Sequence, residues 1–365
     1  MAPTHITAPR ILFYAINGLG LGHVTRQLAI ANAVRLQRPQ TQFLFLTTSE
    51  ADNVIYSEGF ASVKLPSRSA IARTGLRPKV YNKLAQSVVM NTVAAFNPAI
   101  IVVDTFPAGA SQELLSTLSW EMRRAFVFRA QQTERMRDPF FQAALSSYDL
   151  CIVPHAPGSE DLVIPDGLRQ AWAGDIFIRS REQALSPVDA RAQLGLPPSG
   201  KTLYVSFGGG GTDEIAQALK VTLEAARGLD WTIAVADAPL QTVQALSAEH
   251  SNVIKVRHYP MAECFPAFDA AVSAGGYNTV NELVHFGIPS IVIPFRRGLD
   301  DQYARVQRLT SLGVILPGEL NVDQLRSQLT KLANKDTAAA LSESGKNLIR
   351  QSGASAAAAA ILDLL

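Results

Sequence analysis

The 365-residue sequence is 47% hydrophobic and 18% charged, proportions that are typical of a well-packed protein and exclude an intrinsically disordered chain. One ordinary hydrophobic core does not extend over such a length, so we expect two domains of similar size. The formal net charge of +2, without a block of basic residues, argues against a nucleic-acid partner.

Short apolar runs alternate with longer helical segments in the first part of the chain. The predicted strands cover residues 11–16, 43–46, 99–103, 125–128 and 150–153. Runs that are apolar at consecutive positions favour strands buried on both faces, and their alternation with helices predicts a parallel sheet. We therefore expect a first Rossmann-like domain over residues 1–160.

Prolines and glycines become frequent after residue 153, which predicts an interdomain linker at residues 161–182. A second series of strand-length apolar runs predicts another Rossmann-like domain over residues 183–346. These runs are 202–207, 231–235, 253–256, 270–273 and 290–294. The alanine-rich residues 347–365 predict a terminal helix that packs back on the first domain.

The predicted fold is thus α/β, with two Rossmann-like parallel-sheet domains facing a central cleft. Open sheets of this kind bind ligands beyond the carboxyl ends of their strands. Side chains in the loops that follow predicted strands are therefore the first candidates for function.

A glycine-rich turn directly follows the first predicted strand and opens a helix. Its backbone N–H groups and the helix N-terminus suit an anion, and we assign Gly20, Gly22 and Arg26 to a phosphate or acceptor loop. The glycines do not have the G-x-G-x-x-G spacing, and no acidic residue directly follows the second strand. Both facts argue against a dinucleotide, and we expect no cofactor.

His23 and Asp104 are the candidate catalytic pair. His23 lies in the first glycine loop, and the pKa of histidine suits a general base that deprotonates a hydroxyl. Asp104 ends a buried strand at the same sheet edge, where its carboxylate would orient the imidazole. The alternatives are structural: His23 packs at the helix start, and Asp104 caps the following helix.

Four consecutive glycines follow the first strand of the second domain. Gly208, Gly209, Gly210 and Gly211 lack Cβ atoms and let the backbone approach a diphosphate. A plain flexible turn is the alternative, although four glycines cost conformational entropy that such a turn need not lose.

The densest group of polar residues lies between positions 270 and 302. It consists of Gly275, Gly276, Asn278, Thr279, Glu282, Asp301 and Gln302. The two glycines open a helix whose N-terminus suits a phosphate. Glu282 lies one helical turn after Asn278, where a carboxylate would accept hydrogen bonds from both ribose hydroxyls.

This segment resembles the donor-binding signature of the GT-B glycosyltransferases, in which Gly-Trp-Asn-Ser is followed by a glutamate, Gly-Ile-Pro and an acidic-Gln pair. It is also similar to the peptidoglycan N-acetylglucosaminyltransferases of family 28, and the similarity extends over residues 11–314. The resemblance implies that Glu282 binds ribose, that Asn278 and Thr279 bind phosphate, and that Gln302 binds the donor sugar. It also implies a His–Asp dyad at His23 and Asp104.

Three positions depart from the signature. Ala274 replaces a phosphate-binding histidine, which gives more of that task to residues 208–211. His258 is the candidate for stacking on the nucleotide base. Arg26 replaces a proline, and the resulting Gly-His-x-x-Arg form resembles the nucleotide-sugar hydrolases of the pseudaminic acid pathway.

We therefore expect an inverting, metal-independent glycosyltransferase that uses a nucleotide-diphosphate sugar, most simply a UDP-sugar. The sequence has no Asp-x-Asp or His–carboxylate cluster of metal-ligand type. A nucleotide-sugar hydrolase and a non-catalytic nucleotide-sugar-binding protein remain alternatives; a 2-epimerase has less support. The acceptor, a small molecule or a lipid-linked one, would be bound by the first domain, where the long connection 65–81 carries several basic residues.

The compartment is inferred from the cysteines and from the apolar runs. Cys151 and Cys264 lie far apart in apolar surroundings and are expected to be buried, reduced thiols. Residues 1–10 lack the apolar region of a signal peptide, and no apolar run approaches the ~20 residues of a membrane span. We expect a cytoplasmic protein, with peripheral contact on the inner face of the membrane left open.

Overall fold

The computed structural model describes residues 8–16, 20–208, 213–237 and 252–365, and leaves the side chain of Ser69 undescribed. The chain divides into two compact units. The first contains Met1–Ile176 and Gly353–Leu365, and the second contains Phe177–Ser352. Each is a parallel sheet with helices, so the predicted α/β fold with two Rossmann-like sheets is confirmed.

The first unit has a seven-stranded sheet in the order β3-β2-β1-β4-β5-β6-β7, in which every pairing is parallel. Its strands are β1 Arg10–Ala15, β2 Gln42–Thr47, β3 Ala61–Lys64, β4 Ile100–Asp104, β5 Arg123–Val127, β6 Leu150–Val153 and β7 Arg169–Trp172. Strands β1 and β4 lie side by side at the centre, and residues 11–15 and 100–104 are almost without solvent exposure. Continuous apolar sequence forms these strands because helices and loops cover both faces.

Among its described residues, the first unit has seven helices. They are α1 Gly22–Gln37, α2 Asn53–Ser57, α3 Arg68–Ala72, α4 Pro78–Phe96, α5 Thr133–Met136, α6 Pro139–Leu145 and α13 Ala354–Leu362. Helix α13 packs against α1, where the side-chain amide of Gln37 donates to the carbonyl of Ser355 at 2.9 Å. Gly353 precedes α13, and a Cβ at this position would collide with the carbonyl oxygens of Ala173 and Gly174. The residue is therefore glycine because two backbones meet there.

The second unit has a six-stranded parallel sheet in the order β10-β9-β8-β11-β12-β13. Its strands are β8 Lys201–Ser206, β9 Trp231–Ala236, β10 Val253–Val256, β11 Ala270–Ala274, β12 Ser290–Ile293 and β13 Leu316–Pro317. Its helices are α7 Pro187–Gln193, α8 Asp213–Ala226, α9 Tyr277–Phe286, α10 Gln302–Ser311, α11 Val322–Ala333 and α12 Lys335–Leu348.

The order of the strands determines where loops converge. In the first unit β1 lies between β2 and β4, and in the second unit β8 lies between β9 and β11. Each sheet therefore reverses its strand order at its first strand, which is the point where open α/β sheets form ligand sites. In the first unit, the loops after β1 and β4 are therefore the expected place for a functional site. In the second unit, the loops after β8 and β11 are the corresponding pair.

The cysteines, the predicted linker and the lengths of the helices can each be compared with the expectation from the sequence. Cys151 and Cys264 are both buried and form no disulfide. Strand β7 and the start of the second unit both fall inside the segment that the sequence predicts as a linker. Among the described residues, no helix combines the length and the apolar character that a membrane span needs.

Candidate active site

His23, Arg26 and Asp104 meet at the carboxyl edge of the first unit's sheet. Asp104 is the last residue of β4, and the other two lie in the first turn of α1, directly after the β1 loop. The Nδ1 atom of His23 lies 3.1 Å from Asp104 Oδ1. Arg26 donates from Nε to Oδ2 at 2.9 Å and from Nη2 to Oδ1 at 2.7 Å. The structure thus brings the predicted dyad together and adds a bidentate arginine to it.

Burial differs strongly among these three side chains. Asp104 has no solvent exposure and Arg26 has 2%, whereas 20% of the His23 side chain is exposed. The imidazole is therefore the group that a ligand reaches, and the two charged partners lie beneath it. Arg26, which the sequence assigns to a phosphate or acceptor loop with Gly20 and Gly22, instead directs its guanidinium at a buried carboxylate.

Thr105 completes the surroundings of the imidazole. Its hydroxyl donates to Asp104 Oδ1 and lies 3.1 Å from His23 Nδ1. Its φ of 69° is a left-handed conformation that β-branched residues rarely adopt. The side chain of Gln131 donates to the Thr105 carbonyl at 3.2 Å, which helps to hold this conformation. A non-glycine residue in such a conformation is typical of functional loops.

Burial favours a neutral imidazole at His23, beside an ionised carboxylate at Asp104. Burial lowers the pKa of His23, Asp104 opposes that shift, and the cations Arg26 and Arg129 add to it. Burial would raise the pKa of Asp104, but Arg26 and His23 outweigh it and hold the pKa well below its usual range. A neutral histidine whose Nδ1 faces a carboxylate has the arrangement of a general base.

The structural alternative for Asp104 is not observed. No helix begins in the residues directly after β4, where the described chain forms turns up to a short 3₁₀ segment at Leu115–Thr117. The carboxylate accepts instead from Arg26 and Thr105 and lies beside His23. The position of Asp104 is thus explained by its contacts with the side chains of Arg26 and His23 from α1 and of Thr105.

In the second unit, the loop after β11 leads directly into α9. Gly276 is the residue before the helix, and as a glycine it makes no side-chain capping hydrogen bond. Asn278 and Thr279 lie in the first turn and are partly exposed. Gly275 is buried, and its N–H donates to the Ile293 carbonyl at 3.0 Å. This helix start has the features of an anion site.

Glu282 lies one turn further along α9 and is mostly enclosed. Burial raises the pKa of Glu282 to about 7, whereas the backbone N–H of Ile178 and the charge of Arg179 act in the opposite direction. A carboxylate that titrates near neutral pH in a partly closed site is typical of a functional position.

The acidic-Gln pair at the start of α10 is built differently from the sequence expectation. Asp301 is exposed and caps α10 by accepting from the Ala304 N–H at 2.9 Å. Gln302 is 5% exposed, and its Oε1 accepts from the Phe295 N–H at 3.0 Å. The Gln302 amide group lies 3.5 Å from Asp300, so the carboxylate near this glutamine is that of Asp300 and not that of Asp301.

Arg305 links this helix to the loop after β11. It is 5% exposed and donates from Nη1 to the Gly275 carbonyl at 2.7 Å. Its Nη2 donates to Asp300 Oδ1 at 2.8 Å. A substituent on Gly275 would also press on Gln302 and Val306 at 3.1–3.3 Å, so the loop and α10 are closely packed. The sequence does not predict the contacts of Arg305 and Asp300, because their i,i+5 spacing belongs to no recognised motif.

The glycine run 208–211 and His258 are the remaining predicted donor-site residues. Gly208 has a φ of 80°, which requires glycine, whereas Gly209, Gly210 and Gly211 lie outside the described residues. The Nε2 atom of His258, the candidate for stacking on a base, lies 3.0 Å from Glu263 Oε2. Glu263 also accepts from Arg179 at 2.7 Å.

A cavity of about 1000 Å³ opens at the opposite edge of the first unit's sheet. It is lined by residues at the amino ends of strands, including Arg10, Gln42 and Arg123. None of the predicted site residues lines it, and ligands of open α/β sheets bind at the other edge. Over the described part of the chain, no three His, Cys, Asp or Glu side chains cluster as metal ligands would.

Residues 214–360 match the model of the glycosyltransferase family 28 C-terminal domain. A UDP-N-acetylglucosamine–N-acetylmuramyl-(pentapeptide) pyrophosphoryl-undecaprenol N-acetylglucosamine transferase of Aquifex aeolicus is 27% identical over 175 residues, which are 46% of this chain and 49% of that protein. The transferase of the same name in Salinibacter ruber is 26% identical over 372 residues, with 98% of this chain and 97% of that protein covered.

The match covers about half the length of the Aquifex aeolicus protein. It covers 34% of a UDP-glucosyltransferase of Bacillus subtilis and 24% of the N-acetylglucosamine transferase of Thermosipho africanus. Among solved structures, the glycotransferase of kitacinnamycin has a TM-score of 0.67 at 18% identity, with 98% of this chain and 99% of that chain covered. At such low identity this likeness establishes the fold alone. Residues 214–360 are therefore similar to the glycosyltransferase family 28 C-terminal domain, and the chain has the fold of the GT-B glycosyltransferases.

Proposed function

We propose that this protein is an inverting, metal-independent glycosyltransferase that moves a sugar from a UDP-sugar to an acceptor hydroxyl. The family 28 domain in the second half supports a nucleotide-sugar donor. The observation that carries the catalytic assignment is the pairing of a partly exposed His23 with a fully buried Asp104 at 3.1 Å. No organic cofactor takes part in the proposed reaction.

In the proposed mechanism His23 Nε2 removes the proton of the acceptor hydroxyl. The acceptor oxygen then forms a bond to the anomeric carbon from the face opposite the leaving group. The bond between that carbon and the diphosphate oxygen breaks, and its electron pair leaves with the nucleoside diphosphate. One displacement inverts the anomeric configuration, and Asp104 stabilises the imidazolium that results.

The second unit would hold the donor in this mechanism. The N–H groups at the start of α9, with Asn278 and Thr279, would bind the diphosphate and stabilise its charge as the bond breaks. Glu282 would accept hydrogen bonds from the ribose hydroxyls. The Phe295 N–H donates to Gln302 Oε1. We therefore assign the other polar atom of this side chain, Gln302 Nε2, to the donor sugar.

The acceptor is proposed to be lipid-linked, as the name of the Aquifex aeolicus relative gives for that protein's own substrate. Helix α4 of the first unit supports this, because Val80 and Leu84 are 48% and 46% exposed on it. The side chains of Arg77, Lys79 and Lys83 are exposed around them. An exposed apolar pair among basic residues suits the anionic inner face of a membrane.

Cosedimentation with vesicles tests this membrane contact. We expect the protein to bind phosphatidylglycerol vesicles at low salt, and the double variant V80S/L84S to bind them more weakly. Leu36 of α1 is 80% exposed and supplies the control, since L36S should bind like the unchanged protein. Equal binding by all three proteins would contradict the contact.

The central experiment measures donor binding and transfer separately. Thermal-shift measurements with UDP, other nucleoside diphosphates and NAD identify the nucleotide, because a bound ligand stabilises the folded state. We expect UDP to stabilise the protein most and H23A to retain that stabilisation while transfer falls by about 10²–10⁴-fold. Near-full transfer by H23A, or a preference for NAD, would contradict the proposal. Transfer in the presence of EDTA tests metal independence.

A nucleotide-sugar hydrolase is the second candidate. Arg26 lies three residues after His23, which gives the Gly-His-x-x-Arg form that resembles the nucleotide-sugar hydrolases of the pseudaminic acid pathway. Such an enzyme would have water as the acceptor, again deprotonated by His23. Products distinguish the two activities, since a hydrolase releases free sugar and UDP at full rate without an added acceptor.

A further inference from the structure

We propose that Arg26 is a positioning residue of the catalytic base. Its guanidinium fixes the orientation of Asp104 and takes up much of that carboxylate's charge, so that His23 remains neutral and ready to accept a proton. This inference rests on the proposed function, because it takes His23 to be the base. It gives Arg26 a role beneath the reacting groups instead of a contact with phosphate or acceptor.

The helical spacing makes this arrangement available. His23 and Arg26 are three residues apart in the first turn of α1, so both side chains lie on one face of the helix. That face meets the end of β4, where Asp104 is located. Arg26 occupies both carboxylate oxygens, at 2.9 and 2.7 Å, and its Nη2 also lies 3.3 Å from His23 Nδ1.

Asp104 Oδ1 is shared among three groups. Arg26 Nη2 and the Thr105 hydroxyl donate to it, and His23 Nδ1 lies 3.1 Å away. An oxygen that already accepts two hydrogen bonds, one of them from a cation, attracts an imidazolium less than an oxygen without such donors. The carboxylate can therefore orient the ring without strongly favouring its protonated form.

The charged groups that face His23 come from three segments. Asp104 comes from β4, Arg26 from α1 and Arg129 from the loop after β5, and the neighbouring Thr105 and Phe106 carry no charge. Burial opposes protonation of the ring, Asp104 favours it, and the two arginines add to the effect of burial. Arg26 is the cation whose position the Asp104 pair fixes.

The burial of Arg26 separates this role from ligand binding. The side chain is 2% exposed, and a bidentate guanidinium pair is rigid and specific in geometry. Lysine would supply a positive charge without the planar fork, and methionine would supply similar bulk without charge. The two substitutions thus separate the electrostatic contribution from the geometric one.

The test is an NMR titration of His23 in protein labelled with ¹³C-histidine, with H23Q used to assign the signal among the six histidines. We expect R26M to raise the His23 pKa by about one unit or more and R26K to change it less. Arg35 lies on the same helix and donates to the Glu58 carbonyl, so R35M is the matched control and should leave the pKa of His23 unchanged. Circular dichroism checks folding, and R26K replaces R26M if only R26K folds.

Transfer kinetics complete the test. The acidic limb of kcat/KM against pH should move upward in R26M by the same amount as the His23 pKa. An unchanged His23 pKa in a folded Arg26 variant would overturn the role of Arg26 and leave the proposed function standing. A raised pKa with an unmoved acidic limb would instead show that His23 is not the base, and both proposals would then fall.

Discussion

Asp104 is a carboxylate without solvent exposure that accepts hydrogen bonds from Arg26 and Thr105 and lies against His23. Such a group is stable only while its partners remain, since a buried charge without compensation is costly. The ion pair therefore has two functions at once: it holds the first turn of α1 against the end of β4, and it orients the candidate base.

Replacing this carboxylate separates the two functions. We expect D104N to lower transfer by about 10²–10⁴-fold and to lower the free energy of unfolding by about 3–5 kcal/mol, because Arg26 then lacks a buried anion. Kinetics and urea denaturation measure the two effects. Asp363, which pairs with Arg169 at the surface, is the control, and D363N should change stability by less than about 1 kcal/mol. Similar losses in both variants would contradict the role of the buried pair.

Glu282 predicts how donor binding depends on pH. Its pKa is raised to about 7, mainly by burial, so an appreciable fraction is protonated near neutral pH. Ribose hydroxyls that donate to the carboxylate favour its ionised form, and binding should then release protons. We expect the affinity for UDP to increase from pH 6 to pH 8, by up to about tenfold per unit below the pKa.

Calorimetric titration over this pH range checks the prediction for Glu282. The variant E282Q cannot ionise at this position, so the part of the slope that remains in it belongs to the nucleotide itself. We expect E282Q to bind UDP more weakly and with a smaller pH dependence. An identical slope in both proteins would mean that Glu282 does not face the ribose.

At the level of elements, the junction between the β11 loop and α10 depends on one arginine. Arg305 binds the Gly275 carbonyl and the Asp300 carboxylate, and both contacts are removed in R305M. The loop that begins α9 would then lose a fixed neighbour. We expect the KM for the donor to rise about tenfold or more, as loss of a buried charged hydrogen bond permits, with a smaller change in kcat.

Helix α10 also supplies the control for that variant. Arg308 lies one turn later on the same helix and is partly exposed, so R308M removes a similar side chain from a different position. Steady-state kinetics with varied donor, together with the UDP affinity, compare the two. If R308M raised the KM for the donor as much as R305M does, the effect would belong to the helix in general.

The central strands of both sheets are predictable because each contains a run of consecutive apolar residues, as strands buried on both faces do. Strands β3 and β7 are not, because their sequences, Ala-Ser-Val-Lys and Arg-Gln-Ala-Trp, are short and carry polar residues at the sheet edges. The convergence of His23 with Asp104 follows from the rule that carboxyl ends of parallel strands share one edge. The same rule does not predict the buried arginines Arg26 and Arg305. Whether each side chain faces outward or inward depends on how its helix packs, which no local sequence pattern encodes.

At the scale of the whole molecule, the chain forms two units of which the first is discontinuous. Its last 13 residues, Gly353–Leu365, return to it after the second unit is complete. Ala357 and Ile361 of α13 have no exposure, so this helix is part of the first unit's core. A defect at residue 353 should therefore affect the first unit while the second unit stays intact.

Gly353→Ala tests this division. The added Cβ would collide with the carbonyls of Ala173 and Gly174, and relief of such overpacking typically costs about 1–3 kcal/mol. We expect calorimetry to show a lower unfolding temperature for the first unit, with the UDP-dependent stabilisation of the second unit unchanged. Gly298→Ala is the control, because a Cβ there meets no atom within 4 Å. If G353A abolished the response to UDP, the two units would not be independent in folding, and the nucleotide site would depend on the returning helix.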